Sequence, residues 1–455
     1  MVNTTSFRWR RSLAALAAAL SIVVAACGTS TTSPGTAPAS DAPASVAPGG
    51  SPAASASGGY TGPAASIEYA IWGDPAEIDS QTKLVESFMA LNPTITVKVS
   101  VADWDSYWEK LLTGLSGGAA PDVFAMDGPL FPDYQSRDVL LDLKPFIDRD
   151  GYNLGQLADQ AVADFTTPGG QYGLPRDLNV IALYYNKAMF DAAGVPYPDD
   201  TWDWAKLVEV GKQLTKDADG NGKIDQWGLY TETSDMENYW LSLVWQNGGA
   251  FFGADGKSTA LTTPQATGGV QFLQDLIYKD KILAEPAIFA ETGDAFEQGL
   301  AAMEINGSWL VPTDQAAGLD FGIAPLPKGP AGRFTSVNPT GVVVYKSTKS
   351  PDAAWEFVKF LASPAAQEQL MQLKAALPVS KEVLAGPYAT SFDGAQVFAD
   401  SLAYANPKPS FAGYEEYVGI LQGELDENVF ITPNKTAQAA LDSVAPQLDA
   451  LLAGQ

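Results

Sequence analysis

Three hydrogen-bonding side chains interrupt an otherwise apolar stretch near the middle of the chain. Arg176, Asp177 and Asn179 lie within residues 171–187, between two runs of strand-like apolar residues. Burying such groups costs free energy unless other polar atoms pair with them. Their partners are either other protein groups, as in a buried arginine–aspartate pair that locks a turn, or the polar groups of a ligand. The stretch alone leaves both interpretations open.

Aromatic residues close to acids and amides are the second feature that could bind a ligand. The sequence places a ring near such a group in three pairs: Trp72 with Asp74, Trp240 with Asn238, and Trp309 with Asn306. A sugar has apolar C–H faces edged by hydroxyl groups, so its site needs flat rings for stacking and polar groups at the rim. A single tryptophan is more often part of the core. The combination nevertheless favours a carbohydrate ligand.

Paired carboxylates also allow a different function, the hydrolysis of glycosidic bonds. That reaction needs an acid and a base or nucleophile about 5–10 Å apart. Asp74, Asp127, Asp177 and Glu237 are candidates, but the sequence does not give their separations. A secreted glycosidase therefore stays an alternative. The chain has no histidine, which excludes the Ser-His-Asp triad, the Cys-His pair and His-ligated zinc.

The run DADGNGKID at residues 217–225 predicts a calcium-binding loop. The template takes ligand oxygens from positions 1, 3, 5, 7 and 9, which here are Asp217, Asp219, Asn221, the carbonyl of Lys223, and Asp225. Position 12 is Gly228 instead of glutamate, so further oxygens must come from elsewhere. A metal-free Asp/Asn/Gly turn is the alternative. In either case the loop is expected to be structural, and no cofactor is required.

The N-terminus predicts a lipoprotein signal peptide over residues 1–27. A basic segment precedes the apolar run Leu13–Val24, and Val-Ala-Ala-Cys follows, ending at Cys27. This motif resembles the lipobox of bacterial lipoproteins, in which the cysteine is lipidated. The run is too short for a membrane span, which needs about 20 residues. Residues 28–65 are rich in Ala, Ser, Pro and Gly and predict a disordered linker.

Strands alternate with helices in the segment that follows. The patterns predict strands at Ser66–Ile71, Ile95–Val101 and Pro121–Met126, with helices between them. This order is typical of an α/β fold with parallel strands, in which ligands bind beyond the carboxyl ends of the strands. Trp72, Asp74 and Asp127 occupy those ends. Further helices are predicted, among them Asp294–Leu300, and a late strand at Val342–Tyr345.

Size and charge narrow the function further. At 455 residues the chain is longer than a single compact core, which favours two domains or lobes. Acidic residues outnumber basic ones 53 to 27, and the resulting net charge of −26 repels nucleic acid and anionic lipid headgroups. No nucleic-acid partner is therefore expected. Cys27 is the one cysteine, so no disulfide can form within the chain.

Several segments resemble the extracellular solute-binding proteins of carbohydrate ABC importers, the family that includes the maltose-binding protein. The segments that carry the resemblance are Phe296–Trp309, Ala120–Asp127, Leu183–Lys187, Gln246–Gly249 and the strand at Gly341. The resemblance runs from about Ser66 to the C-terminus. It implies a two-lobed periplasmic-binding-protein-like fold of type II, with discontinuous lobes around a hinge and a central cleft. The expected lobes are residues 66–178 with 336–376, and 179–335 with 377–455.

The resemblance also implies which residues bind the sugar. Carried over by position, they are Trp72, Asp74, Asp127, Asn179, Asn238, Trp240, Trp309 and Tyr414. The predicted site also includes Asn306, Gly341, Arg176 and Asp177, although the last two have no counterpart in the maltose-binding member. Asn179 falls where the maltose-binding member has a glutamate. An amide both donates and accepts, so it reads a different hydroxyl pattern.

The implied function is that of a non-catalytic, lipid-anchored subunit of an importer. It captures a mono- or oligosaccharide between its lobes and delivers it to the membrane permease. We expect a monomer on the outer face of a bacterial cell membrane. Besides the glycosidase, a second alternative is a protein that binds a non-sugar solute, such as a phosphodiester or a polyamine.

Overall fold

A mixed sheet forms the centre of the fold. The computed structural model describes residues 60–236, 240–289 and 293–454, so the predictions for residues 1–59 lie outside it. In the described residues the strands are β1 (Ala65–Trp72), β2 (Ile95–Ala102), β3 (Val123–Asp127), β4 (Thr166–Thr167), β5 (Gly170–Gln171), β6 (Gly173–Asn186), β7 (Met303–Gly307), β8 (Phe321–Ala324), β9 (Thr335–Val344), β10 (Leu377–Pro378) and β11 (Ala405–Pro407).

Helices pack on both faces of this sheet. The α-helices are α1 (Pro75–Leu91), α2 (Trp104–Gly117), α3 (Phe131–Ser136), α4 (Lys144–Asp150), α5 (Asp159–Ala163), α6 (Lys187–Ala193), α7 (Trp204–Leu214), α8 (Leu241–Gln246), α9 (Pro264–Tyr278), α10 (Pro286–Phe289), α11 (Val311–Ala316), α12 (Pro351–Leu361), α13 (Pro364–Leu373), α14 (Lys381–Ala385), α15 (Ala395–Ser401), α16 (Tyr414–Leu425) and α17 (Ala437–Ala453). Short 3₁₀ turns include Gly128–Leu130 and Ser308–Leu310.

The strands lie in the order β2, β1, β3, β9, β6, β10. β1 is parallel to β2 and β3, as the alternation of strands and helices predicts. β9, however, is antiparallel to both β3 and β6, so the sheet is mixed. β9 also starts at Thr335, well before the predicted Val342. The sequence pattern missed its first half because Asn338, Pro339 and Thr340 interrupt the apolar run.

β6 changes partners along its length. Its first half, to Val180, pairs with β9, and from Ile181 onward it pairs with β7 and β8. The register shifts between Pro175 and Asp177, which indicates a β-bulge. The two apolar runs predicted around the polar residues are therefore one continuous strand that joins two groups of strands.

Aspartates at the helix N-termini fix where the first two helices begin. The Asp74 side chain accepts hydrogen bonds from the backbone N–H groups of Ala76 and Glu77 at 2.8 and 2.9 Å. Asp103 accepts from the N–H of Ser106 at 3.0 Å. Each carboxylate accepts from N–H groups that have no partner within the first helical turn. Its negative charge also interacts favourably with the positive end of the helix dipole. Both helix starts are therefore held at the carboxyl ends of β1 and β2.

The helix predicted at Asp294–Leu300 is wrong, because this segment forms turns. Gly299 has a φ of +67°, which ends any helix there. The N–H of Leu300 bonds back to the carbonyl of Ala295 at 2.8 Å. The chain then enters β7 directly.

Apolar side chains form a core on each face of the sheet. Phe124 and Met126 of β3 join one cluster, whereas Val123 and Ala125 of the same strand join the other. This alternation is the period of a strand covered on both faces. In the part of the chain that the structure describes, no helix has both the length and the apolar character to cross a membrane.

Candidate functional site

Five polar side chains lie close together where β3 ends beside β9, which has β6 on its other side. Asp127 and Asp177 both lie opposite Thr340, and Asn179 lies opposite Asn338. Opposite residues of antiparallel strands project from the same face, as do residues two apart in one strand. These five residues therefore share one face of the sheet, and we call them the strand junction.

Arg176 is buried next to the junction and is paired with other protein groups. Its Nε donates to Asp177 Oδ2 at 2.6 Å, and its Nη1 donates to the Tyr69 hydroxyl at 3.1 Å. Glu77 Oε1 lies 3.8 Å from its Nη2. Its backbone carbonyl accepts from Gln367 Nε2 at 2.8 Å. Protein groups thus pair with Arg176 and Asp177, which favours the buried ion pair over direct ligand contact.

Asn179 connects the junction to the turn that carries Trp309. Asn179 Nδ2 donates to Asp177 Oδ1 at 3.2 Å, and its Oδ1 accepts from the Ser308 hydroxyl at 3.0 Å. Trp309 follows in the 3₁₀ turn and is half-buried against apolar core residues. The end of β7 is thereby held beside the middle of β6.

Asp74 makes a second connection to this turn region. Its Oδ1 caps α1, and its Oδ2 accepts a hydrogen bond from the Thr313 hydroxyl at 2.7 Å. Thr313 is in α11, four residues after Trp309. The start of α1 and the start of α11 are therefore in contact. Both oxygens of Asp74 have protein partners in this arrangement.

Trp72 belongs to an aromatic group at the ends of β1 and β2. Its ring centroid lies 5.1 Å from that of Trp104, 5.0 Å from Tyr107 and 5.3 Å from Trp108. Most of these contacts are edge to face, which is a favourable aromatic geometry. Trp72 is half-buried, and Trp104 is 44% exposed. Indole surface therefore stays accessible beside Asp74.

Asn306 is buried and serves the structure around it. Its Nδ2 donates to Glu304 Oε1 at 2.6 Å, and its Oδ1 accepts from the N–H of Gly307 at 2.7 Å. The amide therefore orients the end of β7 just before Trp309. At 5% exposure, Asn306 has little surface to offer a ligand.

Two acids behind this turn are buried. Burial raises the pKa of Glu304 well above its ordinary value, and nearby carboxylates raise it further. Burial raises the pKa of Asp314 to about 8, helped by the charges of Asp294, Glu297 and Asp74. Within the described residues neither Glu304 Oε2 nor Asp314 Oδ2 has a hydrogen-bond partner. The carboxyl of Asp314, with a pKa of about 8, therefore holds a proton near neutral pH.

Three predicted ligand contacts lie in the core instead. Trp240 is fully buried with its Nε1 donating to Gln422 Oε1 at 3.1 Å, and Tyr414 is 1% exposed. A Cβ at Gly341 would collide with the ring of Phe165, so this glycine is required by packing. Buried rings cannot stack on a ligand, and we do not expect these residues to contact one. Asn238 lies outside the described residues.

The predicted calcium loop brings three exposed carboxylates together. Oxygens of Asp217, Asp219 and Asp225 lie within 4.8 Å of one another. The same carboxylates accept backbone N–H bonds, including those from Asn221 and Gly222 to Asp217 at 3.1 and 2.8 Å. Such bonds also hold a metal-free turn. Calcium binding by these residues with Asn221 and the Lys223 carbonyl stays a prediction.

Sequence reasoning missed Asn338, Ser308 and Thr313 as parts of the site. Asn338 Nδ2 donates to Asp127 Oδ1, and the two hydroxyls bond Asn179 and Asp74 as described above. One signal was available for Asn338, because it interrupts an apolar strand just as Arg176 and Asp177 do. Ser308 and Thr313 carry no such signal.

A protein-family profile matches most of the chain. The profile described as bacterial extracellular solute-binding protein covers residues 57–368. Among curated proteins, the maltotriose-binding protein of Pyrococcus abyssi is 27% identical over 371 residues, covering 80% of this chain and 77% of its own length.

Solved structures share the fold along their whole length. The substrate-binding protein Lmo0181 of Listeria monocytogenes, in complex with cycloalternan, has a TM-score of 0.78 at 25% identity and covers 85% of this chain and 98% of its own. UgpB of Mycobacterium tuberculosis, in complex with glycerophosphocholine, has a TM-score of 0.72 at 21% identity and covers 86% of this chain and 99% of its own. The fold is therefore the two-lobed α/β fold of periplasmic binding proteins, as the sequence predicts.

Replacing Arg176 by leucine should strongly destabilise the fold. Asp177 would be left buried with its charge uncompensated, which costs about 3–5 kcal/mol. Urea denaturation of Arg176→Leu would measure the loss in the free energy of unfolding. Lys144→Ala, which breaks the exposed pair with Asp148, is the control and should change it by less than about 1 kcal/mol. Equal, small losses in both variants would contradict a buried ion pair.

Asp314 should make the protein less stable as the pH rises. Its pKa is about 8 in the folded chain and about 4 when unfolded, so the folded state binds the extra proton between these values. The stabilisation is full below pH 4 and is lost as the pH rises to 8. Asp314→Asn cannot lose this proton. The free energy of unfolding of the variant should therefore rise relative to that of the wild type from pH 5 to 8, and the difference should then level off.

Urea denaturation at each pH measures that difference. The exposed Asp200→Asn is the control and should follow the wild-type pH profile. Parallel profiles for Asp314→Asn and the wild type would contradict a raised pKa at Asp314.

Proposed function

The chain belongs to the family of bacterial extracellular solute-binding proteins, and we propose that it binds a mono- or oligosaccharide between its two lobes and delivers it to the permease of an ABC importer. The relatives support a carbohydrate, because the Pyrococcus protein is named for maltotriose and the Listeria structure holds cycloalternan. Delivery to a permease is the role that the family implies.

The contact that carries the proposal is the hydrogen bond between Ser308 and Asn179. It holds the half-buried ring of Trp309 beside the strand junction, which has amides and acids on its face. Trp72, with its accessible indole surface, lies next to Asp74, whose bond to Thr313 reaches the same turn region. Rings for stacking and polar groups for a hydroxyl rim are thus combined in one place.

We place the lobes at residues 66–178 with 336–376 and at 179–335 with 377–455. The change of β6 partners after Val180 supports a crossing near there, and the pairing of β10 with Leu178 and Asp177 supports the last one. On this division the Asp74–Thr313 bond joins the two lobes. A sugar that contacts both lobes favours the closed state through contacts available only there.

The protein acts, on this proposal, without a catalytic step. The carboxylates considered for glycoside hydrolysis have structural tasks: Asp74 caps a helix, Asp177 pairs with Arg176, and Asp127 accepts from Asn338. A retaining or inverting hydrolase needs one acid and one free base or nucleophile at the bond to be cleaved. Glu237 lies outside the described residues.

A phosphodiester is the second candidate ligand, because UgpB shares the fold and holds glycerophosphocholine. A phosphate is recognised by arginine or lysine. Arg176, which lies next to the strand junction, is already paired with Asp177. A neutral sugar therefore fits the charges of the site better.

Lipid anchoring completes the proposal. Lipidation of Cys27 and removal of residues 1–26 would hold the protein, through the linker at 28–65, on the outer face of the cell membrane. More than one acyl chain makes such attachment durable. We infer a monomer that contacts membrane lipid through this residue alone.

Trp309→Ala should weaken saccharide binding by about 30-fold or more, because a buried aromatic anchor contributes at least about 2 kcal/mol. A thermal-shift screen of glucose, galactose, maltose, maltotriose and raffinose, with glycerophosphocholine alongside, identifies a ligand for the wild type. Calorimetry then compares affinities. The ligand-free melting temperature should fall no further than in the control below, since both tryptophans are half-buried.

Trp204→Ala is the matched control. This half-buried tryptophan stacks on Phe272 with ring centroids 4.0 Å apart and bonds Gln246 at 2.7 Å. Its loss should lower the melting temperature and leave saccharide affinity unchanged. A wild type that binds no saccharide, or that releases product from aryl glycosides, would contradict the proposed function.

Cys27→Ser should abolish the lipid modification of the protein, measured as incorporation of labelled palmitate in the cells that produce it. Serine lacks the thiol that accepts the lipid, so processing at this position should stop. Mass spectrometry of the wild type should find a mature N-terminal peptide that begins at a lipid-modified Cys27. A wild-type peptide without lipid, or a variant that incorporates as much label as the wild type, would contradict the anchor.

A further inference from the structure

Trp104 is the most exposed of the tryptophans that the structure describes, at 44%. It is the first residue of α2, just beyond the carboxyl end of β2, and ligands of α/β proteins bind beyond such strand ends. Its ring packs edge to face against Trp72 and Trp108, with centroids 5.1 and 5.3 Å away. The open surface of Trp104 therefore adjoins the accessible indole surface of Trp72.

Buried groups hold the Trp104 ring in place. Trp108 is buried beneath it, and the buried ring of Tyr107 packs edge to face against both Trp72 and Trp108. The Tyr107 hydroxyl donates to the backbone carbonyl of Ala125 at 2.6 Å. A ring with such support loses little freedom when a ligand covers it. Its exposed surface is thus suited to a binding contact.

The turn that begins with Trp104 borders a concave part of the surface. Burial raises the pKa of the Glu232 carboxyl, and nearby carboxylates, among them Asp105, raise it further. Glu232 is nevertheless exposed to solvent. A side chain that protein surrounds and solvent still reaches lies in a depression. On the division proposed above, Asp105 and Glu232 belong to different lobes, so a ligand can enter this depression between them.

The rings of Trp72 and Trp104 stand at 88° to each other. A pyranose carries its apolar C–H groups on two opposite faces, so one sugar residue cannot lie flat on two perpendicular rings. Two linked residues can do so, because rotation about the glycosidic bond turns one sugar ring against the next. The two indoles are therefore suited to consecutive residues of a saccharide chain.

We propose that Trp104 stacks on a second sugar residue, next to the one at Trp72, and that the ligand is therefore an oligosaccharide. This proposal rests on the proposed function and deepens it by naming the substrate class. The carboxyl groups of Asp105 and Glu232 lie near this ring and can bond the hydroxyl groups at the edge of the sugar. A monosaccharide leaves Trp104 uncovered, so this residue selects for length.

Trp104→Ala tests the proposal with two series of increasing length as probes: glucose, maltose and maltotriose, and galactose, melibiose and raffinose. Calorimetry with the full mature chain measures each affinity. In a series that the wild type binds, the variant should bind the trisaccharide at least about fivefold more weakly, because it loses a stacking contact. Affinity for the monosaccharide should stay unchanged, since a single residue does not reach Trp104.

Tyr197→Ala is the matched control. Tyr197 is 39% exposed and packs against Tyr185 and Phe190, with ring centroids 5.1 and 6.1 Å away, and none of these residues belongs to the candidate site. This variant should keep the wild-type affinity for every probe. Trp104→Phe retains a smaller ring and should keep part of the affinity for the trisaccharide. It also replaces Trp104→Ala if the alanine variant does not fold.

Fluorine NMR supplies a readout of the contact itself. Labelling with 5-fluorotryptophan gives each indole a resonance, and Trp104→Phe identifies the resonance of Trp104 by its loss. That resonance should shift further with the trisaccharide than with the monosaccharide of the same series.

Three results would overturn this proposal and leave the proposed function standing. The first is a folded Trp104→Ala variant that keeps its affinity for a trisaccharide that the wild type binds, or that loses equally for the monosaccharide. The second is a Trp104 resonance that the trisaccharide does not move. The third is a wild type that binds a monosaccharide and gains no affinity from added residues. If the wild type binds no member of either series, the proposed function fails as well.

Discussion

The structure depends on keeping one buried arginine paired. A guanidinium is charged at any pH that the protein meets, so Arg176 can be buried only if its partners are buried with it. Those partners come from three separate elements: Tyr69 in β1, Glu77 in α1 and Asp177 in β6. Gln367 of α13 holds the carbonyl of the same residue. The bulge in β6, the end of β1, the start of α1 and helix α13 are therefore fixed relative to one another.

This constraint divides the polar residues of the site into two kinds. Asp74 and Asp177 use their oxygens on protein donors and so set the geometry. Trp72 and Trp309 keep ring surface that a ligand can contact. A site built in this way is preorganised, because the groups that orient the binding residues are themselves held by buried bonds. Little of the free energy gained from contact with the sugar is then lost in ordering the side chains of the site.

The Asp74–Thr313 bond also bears on how the proposed lobes move, because on the division given above it joins them. The Asn179–Ser308 bond lies within one of these lobes. The donor to Asp74 is a hydroxyl group, whose bond is individually weak and exchanges readily with water. Bonds of this kind can break and form again as a cleft opens and closes, whereas the Arg176 group, with its buried charges, acts as the unchanging centre.

The sequence by itself determined the α/β class and the order of most elements. It also placed Trp72, Asp127, Arg176 and Trp309 at the ends or interruptions of strands. The spacing of apolar residues, and the breaks in that spacing, can be read from neighbouring residues alone. It also carried the family resemblance. It did not determine which polar atoms stay available. Whether Trp240 stacks on a ligand or packs inside, whether Gly341 faces a guest or Phe165, and whether Asn338 joins Asp127 depend on contacts between residues far apart in the chain. Those contacts exist only once β3, β9 and β6 lie side by side, so tertiary structure alone decided them.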